Sequence, residues 1–165
     1  MKIIHIPLQT ELPCYQLYQA IRYYANDSFL LESGAGSNQK AELSIIGFEP
    51  EKVISLDHRQ QKEDFFSVLK AELRNHKISD PSRYVGGLVG TFSYDAFRAI
   101  EPLPDQGPQD KKFPDALFGL FLDGIIYNHI KGDVQYFYYS RNKNRYAFVK
   151  NLVDSINSGF FLQQN

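Results

Sequence analysis

The sequence predicts an α+β fold built mainly on antiparallel sheet, and three observations lead there. Stretches with strand character come in runs, interrupted by three helical stretches, instead of alternating βαβα as in a doubly wound fold. The chain holds 13 Phe and 11 Tyr but no Trp, which enriches it in side chains suited to a pleated, half-buried surface. Lys131-Gly132-Asp133 separates two apolar runs, the pattern of a tight hairpin.

Residues 2–7 read as the first strand. Thr10 then offers an N-cap and Pro13 suits a first helical turn, so a helix is expected to run to about Ala25. Its buried stripe is predicted as Cys14, Leu17, Tyr18, Ile21 and Tyr24. Residues 29–32 form a short apolar strand, and residues 33–39 (SGAGSNQ) have loop composition. Residues 43–48 and 53–57 are two more strands, with Gly47 permitting a close approach or a bulge. Asp64 can cap a second helix that ends at Asn75-His76. Residues 84–94 read as a glycine-rich strand pair or one bulged strand, and residues 102–114 as a proline-rich loop. Residues 117–130 are long and apolar, with Gly119 and Gly124 expected to break them. Residues 134–140 make a strand, and a last helix spans about 144–157.

With 165 residues the chain has the size of a single domain. Apolar residues at 43% and charged residues at 22% exclude disordered and fibrous classes. Eighteen basic against nineteen acidic residues give a net charge of -1, so no overall pull toward nucleic acid or anionic membrane is expected. One cysteine, Cys14, excludes an internal disulfide and a cysteine zinc site. The sequence holds no apolar run of membrane-spanning length, and MKIIHIPLQT is too short and polar for a signal peptide, so the expected location is the cytoplasm.

Chemistry-bearing motifs are sparse. Gly86, Gly87 and Gly90 lack the Lys-Ser or Lys-Thr pair of a phosphate loop and read as strand glycines. His5, His58, His76 and His129 show neither HxxxH nor HExxH spacing, so a metal site is not indicated; His5 and His129 are expected in strands as structural residues. Cys14 falls on an apolar stripe and reads as an inert core thiol. Asp95 and Glu101 carry no weight as an acid–base pair. The segment FLLES differs: it sets Glu32 and Ser33 at a strand end beside a Gly/Ser loop, with Lys40 across it. An amino acid needs an anion for its ammonium and donors for its carboxylate, which these residues could supply. From residue chemistry alone, the beginning of an exposed turn is the more ordinary reading, and both stay open.

FLLESGAG followed by SIIGFEP, then GGLVGTFSYDAFRAIEPLP, then FPDALFGLFLDGIIYNH, in that order, resemble the N-terminal region of the anthranilate synthase component I family. Aminodeoxychorismate synthase component I shares this region. The resemblance covers about Phe29 to His129. It implies the N-terminal part of the chorismate-utilising fold, with orthogonally packed antiparallel sheets flanked by helices, and residues 1–165 as a single regulatory or scaffold unit. It implies no catalytic and no metal-binding residue here, because the family's magnesium-dependent chorismate site lies in a C-terminal domain absent from these residues. Implied partners are that C-terminal domain, a glutamine amidotransferase subunit and tryptophan as feedback effector. Leu31, Glu32, Ser33 and Lys40 are the implied tryptophan contacts. One departure is Glu42-Leu43, where many members carry an Arg-Tyr pair. A stand-alone amino-acid-binding module is the alternative from another class.

Overall fold

The computed structural model describes residues 2–32, 42–58, 64–76, 86–99, 101, 113–140 and 144–158. Strand β1 (Ile3–Pro7) leads through helix α1 (Cys14–Tyr24) to β2 (Ser28–Glu32), β3 (Leu43–Phe48) and β4 (Lys52–Leu56). Helix α2 (Phe65–Asn75) precedes β5 (Gly87–Phe92) and a 3-10 turn (Tyr94–Ala99). Strands β6 (Ala116–Phe121), β7 (Asp123–Asn128) and β8 (Asp133–Tyr139) then run to helix α3 (Tyr146–Asn157). The first sheet has the order β1-β8-β7-β3-β2 and the second β4-β6-β5, and every pairing is antiparallel. The α+β class and antiparallel sheet are therefore as the sequence reads.

Sequence periodicity explains most boundaries, and tertiary contacts explain the departures. Asp64 caps α2 as expected, its carboxylate accepting from the Ser67 N–H at 3.0 Å, worth about 1 kcal/mol. Thr10 does not cap α1. Its hydroxyl accepts from the Leu12 N–H at 3.0 Å, and Pro13 takes the N-cap position without a side-chain bond. The helix thus starts a turn later than expected, with Cys14, Leu17, Ala20 and Ile21 buried and Tyr24 54% exposed. Residues 87–92 form one strand rather than a pair. The apolar run breaks not at Gly119 or Gly124 but at Leu122, the single residue between β6 and β7, which belong to different sheets. The glycines serve close approach instead. A Cβ on Gly124 would lie 2.6 Å from the Ile46 carbonyl oxygen, and one on Gly47 would lie 2.1 Å from the Phe29 ring. That ring meets Phe121 edge to face at 4.8 Å, fastening β2 to the second sheet.

Alternation divides each sheet into two faces. On one face of the first sheet, Ile46, Phe48, Ile125 and Tyr136 pack under Leu17 and Ile21 of α1 and Val149 and Val153 of α3. Burying each such aliphatic side chain stabilises the fold by about 1.5–3 kcal/mol. On the other face, Ile3, Phe137 and Tyr139 meet Leu120 and Leu122 between the sheets. The second sheet turns Ile54, Leu56 and Ala116 to Phe65 and Leu69 of α2. Its opposite face leaves Val53 52% and Leu117 41% exposed.

A buried charge network closes the end of the first sheet. Tyr136 donates its hydroxyl proton to Asp123 Oδ2 at 2.6 Å. Arg145, which precedes α3, binds both oxygens of Asp123, the carboxylate of Glu49 at 2.8 Å and the Phe48 carbonyl at 2.9 Å. Its guanidinium carbon sits 4.3 Å from the centre of the Phe48 ring. Burial works against the Arg145 charge, but the Asp123 and Glu49 oxygens outweigh it and hold its pKa above the ordinary value. The same contacts fix Glu49, whose φ of 45° lies in the left-handed region.

Three buried phenols set an alkaline limit. Burial raises the pKa of Tyr127 and Tyr136 and pushes Tyr139 up to about 12. A phenol whose folded pKa exceeds the unfolded value of about 10 stabilises the fold fully below that pH, and this contribution is lost as pH rises through the folded value. The melting temperature is expected to fall steeply once pH passes about 10. A thermal-melt series that stays level to about pH 12 would contradict this assignment.

Candidate functional site

Strand β2 lies at the edge of the first sheet, paired with β3 alone. It carries Leu31 and Glu32, both exposed. Alternation sends their side chains to opposite faces, so a ligand held by the Glu32 carboxylate meets Leu31 through its backbone. Ser33 and Lys40 lie outside the described residues.

Glu32 begins a polar row on the face that α1 covers. It pairs with Ser44 on β3, and Ser44 pairs with Tyr127 on β7. The next row along the same face is Leu30, Ile46, Ile125 and Tyr136, largely apolar, so the change of character is abrupt. Ser44 is 1% exposed, and its Oγ lies 2.7 Å from His129 Nε2. His129 stands in the turn after β7, not in a strand as its sequence context suggests, and its N–H donates to the Glu42 carbonyl at 2.9 Å. Cys14, at the start of α1, completes the group. Burial pushes its thiol up to about 12, the Glu32 charge adds to this, and a hydrogen bond with Ser44 opposes it. Tyr127 is 6% exposed, and its hydroxyl has no hydrogen-bond partner among the described residues.

These groups can bind but are not set up for nucleophilic catalysis. A thiol with so high a pKa is neutral near pH 7. Ser44 is too deeply buried for a substrate to reach. An exposed carboxylate beside hydroxyls, by contrast, suits an ammonium group.

A second cluster was not legible in the spacing of the histidines. The ligand atoms of Asp57, His58 and Asp115 lie within 4.8 Å of one another. Asp115 Oδ2 accepts from the His58 N–H at 2.8 Å and lies 2.5 Å from the ring Nδ1, while Ser93 donates to Oδ1 at 3.4 Å. Mg2+ favours an octahedron of oxygen ligands with several waters. One imidazole nitrogen and a buried carboxylate already engaged by three donors do not fit it. The cluster instead ties the end of β4 to the start of β6.

The exposed face of the second sheet continues into a cleft of about 300 Å³. Phe29, Val53, Leu117 and Phe121 wall it, with Asp27 also lining it.

Comparison with known proteins gives these features a family. The chain is 35% identical over 158 residues to anthranilate synthase component 1 of Methanothermobacter marburgensis, which covers 88% of this chain and 33% of that protein. It is 29% identical to anthranilate synthase component 1 of Leptospira biflexa, over 86% of this chain and 31% of that protein. It is 28% identical to the chloroplastic anthranilate synthase alpha subunit 1 of Arabidopsis thaliana, over 63% and 22% respectively. The chain thus spans a third or less of the length of each of these curated relatives. The family model for chorismate binding enzymes matches residues 26–158. Among the described residues, no helix is long and apolar enough to cross a membrane. The fold elements and motifs from Asn26 to Ser158 place the chain in the chorismate binding enzyme family.

Proposed function

We propose that these residues form the N-terminal regulatory and scaffold portion of an anthranilate synthase component 1, which converts chorismate to anthranilate in tryptophan biosynthesis. The alignment with the Methanothermobacter marburgensis protein of that name, over 88% of this chain, carries the reading. In this proposal the chemistry resides in a C-terminal chorismate-binding domain that holds Mg2+, and a glutamine amidotransferase subunit delivers ammonia. The family match identifies the family and not the place of the chemistry. Placing the catalytic centre elsewhere is supported by the inert Cys14, the buried Ser44 and the poor fit of the Asp57 cluster to Mg2+. Cover by the rest of a longer polypeptide is supported by the exposed Val53 and Leu117. Tryptophan is the proposed effector, with its ammonium on Glu32 and with Leu31, Ser33 and Lys40 around it. The proposed location is the cytoplasm.

The test is product analysis. The complete gene product, supplied with chorismate, Mg2+ and ammonia or its glutamine-hydrolysing partner, is expected to release anthranilate. Residues 1–165 alone are expected to release none. Anthranilate from residues 1–165 alone would overturn the placement of the chemistry. Aminodeoxychorismate from the complete product would move the protein to the aminodeoxychorismate synthase branch.

A further inference from the structure

Helix α1 buries one stripe and turns an unusual surface outward. Cys14, Leu17, Ala20 and Ile21 face the first sheet. Tyr15, Gln19, Arg22 and Tyr23 face away from it, all exposed, Tyr15 at 58% and Tyr23 at 65%. Tyr15, Gln19 and Tyr23 recur at four-residue spacing and form a row, in which Gln19 Nε2 donates to the Tyr15 hydroxyl at 3.1 Å. The Tyr23 ring meets Tyr24 edge to face at 5.1 Å, and Tyr24 meets Phe148 of α3 at 6.3 Å. The aromatic surface therefore crosses from one helix to the next. α1 contains no Lys, Asp or Glu, and Arg22 is its only charge. A helix face turned to water ordinarily carries charged residues, as α3 does where Lys150 bonds Asp154 at 2.7 Å. Tyr, Phe and Arg without Lys, Asp or Glu is instead the composition found at the centre of a protein–protein interface.

We infer that the outer face of α1, with Phe148 beside it, is the docking surface for the glutamine-hydrolysing subunit. This rests on the function proposed above and deepens it. The side of the molecule supports the assignment. Leu30 packs under α1 while its neighbour Phe29 walls the cleft, and alternation puts the two on opposite faces of the first sheet. Exposed Val53 and Leu117 assign the rest of the polypeptide to the cleft side, which leaves the α1 side to a separate chain. The glutamine-hydrolysing subunit is the one separate chain in that proposal. Arg22 makes the surface positive, so the subunit brings a carboxylate to meet it. The rings supply apolar area and the Tyr hydroxyls supply hydrogen bonds at its border.

The experiment uses the complete gene product and the purified glutamine-hydrolysing subunit. Oxidative labelling of Tyr15 and Tyr23 is expected to proceed in the complete product alone and to fall when the subunit is added. Subunit affinity, and anthranilate formed from glutamine or from ammonia, are then measured for wild type, Arg22→Glu, Tyr23→Phe and the double variant Tyr15→Ala with Tyr23→Ala. Arg22→Glu and the double alanine variant are each expected to weaken subunit binding roughly tenfold or more. At limiting subunit the glutamine-dependent rate falls with it, while the ammonia-dependent rate keeps its wild-type value. Tyr23→Phe, which keeps the ring, is expected to stay near wild type. Wild-type affinity in both Arg22→Glu and the double variant would overturn the inference and leave the proposed function standing. So would an equal loss with glutamine and with ammonia, which puts the effect in the fold. Rings shielded from the label before the subunit is added would give the face to the protein's own polypeptide. A change of self-association in the variants would give it to a second copy, and either result overturns the inference. If wild type forms no anthranilate from ammonia, the proposed function fails, and labelling and affinity still decide the docking surface. The labelling needs no substitution, so it decides even where a variant fails to fold.

Discussion

Asp123→Ala is expected to destabilise the fold by about 3–5 kcal/mol, because it leaves the Arg145 guanidinium buried without its main counter-charge. The side chains are 7% and 16% exposed, so water cannot replace the lost partner. The substitution also strips the acceptor from the Tyr136 hydroxyl, which is buried with it. For a domain of this size the melting temperature should drop on the order of 10 °C. The double change Asp123→Ala with Arg145→Met removes the stranded charge and should recover much of the loss, since apolar replacement of a whole buried pair is often close to neutral. Equal melting temperatures for wild type and Asp123→Ala would show that the network contributes little.

Glu32→Ala in the complete gene product is expected to weaken tryptophan inhibition on the order of 10- to 100-fold. A charge-assisted hydrogen bond is worth about 1.5–3 kcal/mol, and each 1.4 kcal/mol is tenfold in affinity. Ser33→Phe, at the neighbouring position carried over from the family resemblance, is expected to weaken inhibition by bulk rather than by charge. Inhibition curves at fixed chorismate distinguish the two cases from the reading of Glu32 as the start of an exposed turn. That reading predicts superimposable curves for all three proteins.

What could be read from the sequence was mainly local. The Asp64 cap, the β7–β8 hairpin and the strand at residues 43–48 depend on neighbours within a few positions, and the structure contains them. Thr10 looked like a helix cap because its chemistry suits one, yet Pro13 lets the chain bend again before the helix starts. Tyr24 keeps helical phase with Leu17 and Ile21, but it is 54% exposed and its ring meets Tyr23 and Phe148 edge to face instead of entering the core. Leu122 carried no signal at all as a boundary. It is as apolar as its neighbours, and the break there comes from two sheets recruiting adjacent strands.

The candidate site divides in the same way. Glu32 was accessible through a short motif, whereas the Ser44–His129 contact joins residues 85 positions apart. The one local hint was Ser44 itself, a polar residue in phase with Ile46 and Phe48 on a buried strand face. Nothing near His129 in the sequence announces a partner on β3. Asp57 and His58 likewise needed the pairing of β4 with β6 to bring Asp115 beside them.

The sheet switch at Leu122 governs how a disturbance at one edge can travel. β6 and β7 are consecutive, so at this crossing the two sheets are joined through the dihedral angles of one residue, whereas β3 reaches β4 through three. Leu122 is 4% exposed, and its carbonyl accepts from the Tyr139 N–H at 3.1 Å. It is a weld rather than a hinge. A change of side chain at Leu122 would therefore be felt in both sheets at once, at the packing between them and at the start of β7.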